Sequence, residues 1–239
     1  MNHMVRELRH FFDCGVVFFP CSCDQFSGAP WRCAEPHNLN AVLEAIQLLG
    51  TAGGIGHKNL VFSTVNDPRV FERLPLERVK PALGLSLHTT KPALRAELLP
   101  RAPRLSPDEL VAFGEAYARA TGYPIQYQWT LIAGVNDGDD EVDGIVRLLR
   151  GKVAMMNLIP NKRVDDLPWQ RPSAERATAL LEALNQRGVL TRLRQSAGQD
   201  VDGGCGQLRA REAAGRPREV RMPVSRQPQP QPQPPRSTP

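Results

Sequence analysis

Long apolar runs are missing from this chain of 239 residues, and nothing in it is continuous enough to span a membrane. The nearest approach, Phe11-Phe12-Asp13-Cys14-Gly15-Val16-Val17-Phe18-Phe19 behind Arg6 and Arg9, faintly imitates a secretory leader, but Asp13 interrupts it and no small-residue cleavage site follows. Cysteine is scarce: five residues, an odd number without framework spacing, argue against a disulfide scaffold and for reduced thiols in the cytoplasm. No Gly-x-Gly-x-x-Gly turn follows an early strand, which argues against a doubly wound dinucleotide-binding sheet. A charge excess is also missing from the body of the chain. The net +5 comes mostly from residues 211–239, where six arginines face two glutamates, so residues 1–210 hold 24 Lys and Arg against 23 Asp and Glu. Overall basicity is therefore weak evidence for a nucleic-acid face on the folded part, which would need local clustering.

What is present is alternation of short apolar runs with helical patterns. Apolar side chains at 39, 42, 43, 46 and 49 have helical spacing, with Asn38 placed to cap and Gly50 to terminate. Residues 59–65 and 82–88 read as short buried strands. Ser106-Pro107-Asp108-Glu109 is a capping box with proline at the first helical position, opening a helix to about residue 120. Strand 125–131, helix 139–150, strand 153–159, helix 173–187 ending at Gly188, and strand 189–194 follow. Such alternation implies right-handed crossovers, a mainly parallel sheet and helices outside it. The expectation is an α/β fold, a partial or full barrel. From about Glu212 the composition turns to Pro and Gln, ending in Gln227-Pro228-Gln229-Pro230-Gln231-Pro232-Gln233-Pro234-Pro235, which predicts a disordered, polyproline-like tail over 211–239.

In parallel α/β folds ligands meet the carboxyl ends of the strands. Ser63-Thr64, Ser86-Leu87-His88, Asn157-Leu158-Ile159-Pro160-Asn161 and a loop after the last strand all fall there. Singly each has a plain structural role open to it: Ser63 and Ser86 as helix caps, His88 as a partner for a backbone carbonyl, Asn161 as the start of a turn. Their gathering at one rim argues for a site. The loop is Gly198-Gln199-Asp200-Val201-Asp202-Gly203-Gly204-Cys205-Gly206-Gln207-Leu208, one thiol among glycines that let a ligand approach closely, although a lone cysteine also serves as a small buried hydrophobe.

The Cys205 loop, together with A-E-P-H-N-L from Ala34, V-F-S-T-V, L-S-L-H, the stretch Gly134-Val135-Asn136-Asp137 and N-L-I-P, all in order, resembles the radical S-adenosylmethionine methyltransferases that methylate C2 of adenine in ribosomal and transfer RNA. The resemblance covers roughly residues 35–209 and implies a partial (β/α) barrel of the radical S-adenosylmethionine type over 34–210, behind a divergent segment at 1–33. It implies Cys205 as methyl carrier and Cys14 as the thiol that resolves the covalent crosslink. It further implies Ala34, Glu35, Ser63, Ser86, Leu87, His88 and Asn161 around S-adenosylmethionine, a four-iron four-sulfur cluster, rRNA and tRNA as partners, and a cytoplasmic monomer without membrane contact. One motif departs from the family. Its cluster ligands stand as C-x-x-x-C-x-x-C, whereas Cys14, Cys21, Cys23 and Cys33 stand as C-x6-C-x-C-x9-C. Cys21 and Cys23 are thus weak metal candidates, and the segment between Cys23 and Glu35 is short for the family's first strand, helix and second strand. In N-L-I-P-x-N the final asparagine falls on Lys162, with Asn161 displaced by one. A truncated homologue without the cluster, binding at most nucleotide or RNA, is the alternative these departures leave open.

Overall fold

Alternation within short β-prone segments decides the architecture, because each strand puts successive side chains on opposite faces and only one face is uniformly apolar. The computed structural model describes residues 39–65, 67–100, 102–161 and 169–194, and the backbone of 17–20. Six strands, β1 (Val17–Pro20), β2 (Leu60–Thr64), β3 (Ala82–Ser86), β4 (Ile125–Leu131), β5 (Ala154–Pro160) and β6 (Thr191–Leu193), lie side by side in chain order. Every neighbouring pair is parallel. Helices α1 (Leu39–Gly50), α2 (Pro68–Arg73), α3 (Pro92–Leu98), α4 (Pro107–Thr121), α5 (Asp139–Leu149) and α6 (Ala174–Gln186) make the crossovers. Strand order never reverses, so the sheet winds one way as a barrel wall does and has no topological switch point.

One face holds the core. Leu60 and Phe62, Leu83 and Leu85, Tyr127 and Trp129, and Met156 and Leu158 share one cluster with helix residues such as Ile46, Leu110, Ile145 and Leu184. The opposite face carries Ser63, Gly84, Ser86, Gln126, Gln128, Thr130 and Asn157, which the strand registers set side by side. Helix α4 comes close to β4 at Gly114, where a Cβ would stand 2.5 Å from the Tyr127 hydroxyl oxygen. Ser106 and Glu109 form the expected capping box, with the Ser106 amide donating to Glu109 Oε2 at 2.8 Å and the Glu109 amide to Ser106 Oγ at 3.2 Å. Among the described residues no helix is long and apolar enough to cross a membrane.

Three expectations change. The strand expected over 82–88 ends at Ser86, since His88 takes a left-handed conformation, φ 61°, that no strand accommodates. Part of the leader-like apolar run is the edge strand β1, registered Val17 on Leu60 and Pro20 on Ser63, so a strand does precede α1. Helices α2 and α3, of six and seven residues, were not expected. The cap expected at Asn38 and the tail over 211–239 lie outside the described residues.

Candidate functional site

Ser63 and Ser86 end adjacent strands on the face away from the helices, and Gly84 beside them leaves the room a side chain would fill: its Cβ would come within 3.4 Å of Ser63 Oγ. Neither serine caps a helix; those roles fall to Asp67, Ser106 and Ser173. Leu87, expected at the cofactor by resemblance, follows β3 directly and has only its backbone to offer there. Its side chain is fully buried in the apolar core, its amide donates to Gln128 O at 3.1 Å, and its carbonyl accepts from the Thr89 amide at 2.9 Å.

His88 is the most constrained residue of the rim. It is 6 % exposed, and its Nδ1 accepts from the Thr130 amide at 2.9 Å, so in the neutral ring the proton sits on Nε2. Burial pushes its pKa down to about 3, and the Arg95 guanidinium adds to that shift. The imidazole is therefore uncharged at neutral pH. The partner on Nδ1 is a backbone amide, which the sequence did not anticipate. Asn136, 1 % exposed, closes the arrangement: its Nδ2 donates to His88 O at 2.7 Å and Thr130 O at 2.8 Å, while its Oδ1 accepts from the Ile132 amide at 2.8 Å.

Arg95 lies beneath this rim, 3 % exposed, with Nη2 donating to Ser86 O at 3.3 Å and Nη1 to Leu105 O at 3.4 Å. Its Nε has no partner, and burial holds its pKa below the usual arginine value. Asn161 follows β5, buried, and its amide donates to Leu131 O at 2.9 Å. Ser63, Ser86, His88 and Asn161 thus stand at or near the carboxyl ends of β2, β3 and β5. Cys205, Cys14, Ala34, Glu35, Cys21 and Cys23 lie outside the described residues. No group of three or more His, Cys, Asp or Glu placed to hold a metal occurs among the described residues.

Sequence reasoning missed Gln128 and Arg192, which stand in one register row with the expected Ser86 and Asn157 across β3, β4, β5 and β6. With strands about 4.8 Å apart, the row from Ser86 to Asn157 spans about 10 Å. Polar residues at 126, 128 and 130 within an otherwise apolar strand were the available signal. Asn136 was visible only as part of a matched stretch.

No protein-family model matches the chain. It is 75 % identical over 182 residues to a protein of Methylibium petroleiphilum described as a probable RNA methyltransferase, covering 76 % of this chain and 52 % of that one. A protein of Azoarcus sp. with the same description is 72 % identical over 178 residues, 74 % of this chain and 51 % of its own. The chain spans about half the length of the curated relatives it matches. Among solved structures, a radical SAM methyltransferase from Sphaerobacter thermophilus superposes with a TM-score of 0.67 and 32 % identity, covering 71 % of this chain and 50 % of that one. A domain of a pyruvate-formate lyase-activating enzyme from Bacteroides vulgatus gives 0.56 at 16 % identity, over 76 % of this chain and 99 % of that domain, a likeness of fold alone. The chain is thus built on the partial α/β barrel of the radical S-adenosylmethionine type and, over three quarters of its length, is similar in sequence to proteins described as probable RNA methyltransferases.

Proposed function

We propose that this chain is the core of a radical S-adenosylmethionine RNA methyltransferase and that S-adenosylmethionine lies across the carboxyl ends of β2 to β5. The observation that carries the reading is the buried His88, its Nδ1 held by the Thr130 amide, two residues after Ser86 at the carboxyl end of β3 and with Ser63 near the end of the adjacent strand. A sulfonium nucleotide carries its own positive charge, so uncharged hydroxyl, amide and imidazole groups bind its ribose and base without repelling it. The donor set of the rim fits that ligand. Glu35 supplies the carboxylate for its ammonium, and Asn161 a further amide.

The finer reading is transfer of the methyl group to C2 of adenine in rRNA or tRNA through Cys205. There the Cys205 sulfur attacks the methyl carbon, the carbon–sulfonium bond breaks, S-adenosylhomocysteine leaves with the bonding electrons, and the thiol proton passes to solvent. Cys14 is the second thiol of that reading, by resemblance. The target base must leave its stack to reach this mouth. An iron–sulfur cluster would supply the electron for radical formation, but the spacing of Cys14, Cys21, Cys23 and Cys33 does not fit its ligand pattern. That misfit favours a second reading, a homologue that binds S-adenosylmethionine or RNA without completing the reaction.

Calorimetry with S-adenosylmethionine tests the pocket; binding by the wild-type chain that Ser86→Ala and His88→Gln weaken is expected, and no binding refutes the proposal. Peptide mass spectrometry after incubation with the nucleotide should find a methyl group on Cys205. Binding without that methyl group selects the second reading.

A further inference from the structure

We infer that Glu141, on α5, is a positioning residue for the proposed S-adenosylmethionine site, acting through Thr89 and Thr90 to hold His88 in its left-handed conformation at the mouth of the sheet. This rests on the reading of that mouth given above. The side chain is 1 % exposed, and its carboxylate spends its oxygens on the residues that follow His88. Thr89 Oγ1 donates to Oε1, while the Thr90 amide at 2.8 Å and Thr90 Oγ1 at 2.5 Å both donate to Oε2. The Thr90 amide can only donate and both hydroxyls can, so the two carboxylate oxygens serve as common acceptors for the three. The carboxylate sits in the first turn of α5, where the helix dipole favours a negative charge, and Lys91 Nζ stands 3.9 Å away.

The next turn of the same helix completes a socket. A Cβ at Gly144 would lie 2.2 Å from Thr90 Oγ1 and 2.7 Å from Thr90 Cβ, so the loop can seat on α5 only because that position is bare. The Lys91 amide, at 3.1 Å, donates to Thr89 Oγ1 and tightens the same turn. His88 is thus gripped on two sides. Thr130 and Asn136 hold its ring nitrogen and carbonyl, and Glu141 with Gly144 holds the residues that must follow a left-handed turn. A non-glycine residue keeps that conformation only when its surroundings over-determine it. Glu141 is 53 positions from the histidine it orients and needs no contact with the ligand.

The test is a binding cycle with S-adenosylmethionine on the full chain. Glu141→Gln removes the charge and one of the two acceptor oxygens, and should weaken binding on the order of tenfold, by analogy with partners that orient metal-binding side chains. In a His88→Ala background the same substitution should change affinity less than about twofold, because its route to the ligand is gone. Equal losses in both backgrounds would show a purely structural role and overturn the inference. Thr90→Val should repeat the loss and Thr90→Ser, which keeps the hydroxyl, should recover it; that pair stands in should Glu141→Gln fail to fold. Nitrogen-15 spectra of the His88 ring give a readout independent of the ligand. The Nε2-protonated form should dominate in the wild type and give way to exchange in Glu141→Gln or Thr90→Val. Unchanged ring signals overturn the brace, whereas a wild-type chain that binds no nucleotide yet shows the ring change removes only the reading of the site.

Discussion

Lowering the pH from 7.5 to 5.5 should destabilise this protein through His88. In the unfolded chain a histidine titrates near 6.5; folded, burial holds His88 down to about 3. Across the interval between those values the unfolded state carries one proton more than the native state, so acid favours unfolding. The stability contribution is complete above the unfolded pKa and is lost as pH falls toward the folded one. Integrating the linkage for one such group gives a loss of about 1.4 kcal/mol between pH 7.5 and 5.5, tenfold in the folding equilibrium. Asp67, Asp108 and Asp140, held below the usual carboxylate range by hydrogen bonds from Arg69, Arg147 and Lys91, act in the same direction but only at more acid pH, below the unfolded carboxylate value. The two windows are separable. Urea unfolding at both pH values, compared with His88→Gln, whose amide oxygen can still accept from Thr130, isolates the term. The variant should lack the loss. Parallel pH dependence in the two proteins would refute the argument that His88 is buried and neutral.

Asn136→Ala should cost about 3 kcal/mol or more, because it strips two donors and an acceptor from the rim and leaves the buried Ile132 amide without its partner; urea unfolding at pH 7.5 measures it, and a loss below about 1 kcal/mol would contradict the hydrogen-bond assignment. Gly114→Ala should destabilise by roughly 1–3 kcal/mol, since its methyl group meets the Tyr127 hydroxyl at 2.5 Å. Pairing it with Tyr127→Phe, which removes that oxygen, should recover much of the loss in thermal unfolding.

Local rules carried the larger elements. The capping box at Ser106 and Glu109 opens α4, Gly122 with φ 76° closes it, and the helical spacing of Leu39, Leu43, Ile46 and Leu49 gives α1 its buried side. Each is decided within a turn or two of chain, where propensity and periodicity act. Helices α2 and α3 escaped because six or seven residues do not complete two turns of an amphipathic pattern. The candidate site was legible as residue types at strand ends. The conformations of Leu87 and His88 were not, because one side chain turns into the core and the other residue is left-handed.

Sequence by itself determined the alternation of elements, the parallel sheet it requires and the rim on which Ser63, Ser86, His88 and Asn161 fall, because periodicity and crossover handedness are properties of neighbouring residues. Tertiary structure alone decided that His88 is neutral and left-handed. Its ring accepts from the Thr130 amide, 42 positions away, and its carbonyl from Asn136, 48 positions away. Burial and the partners it brings exist only once β3, β4 and α5 have come together, and no local pattern encodes them.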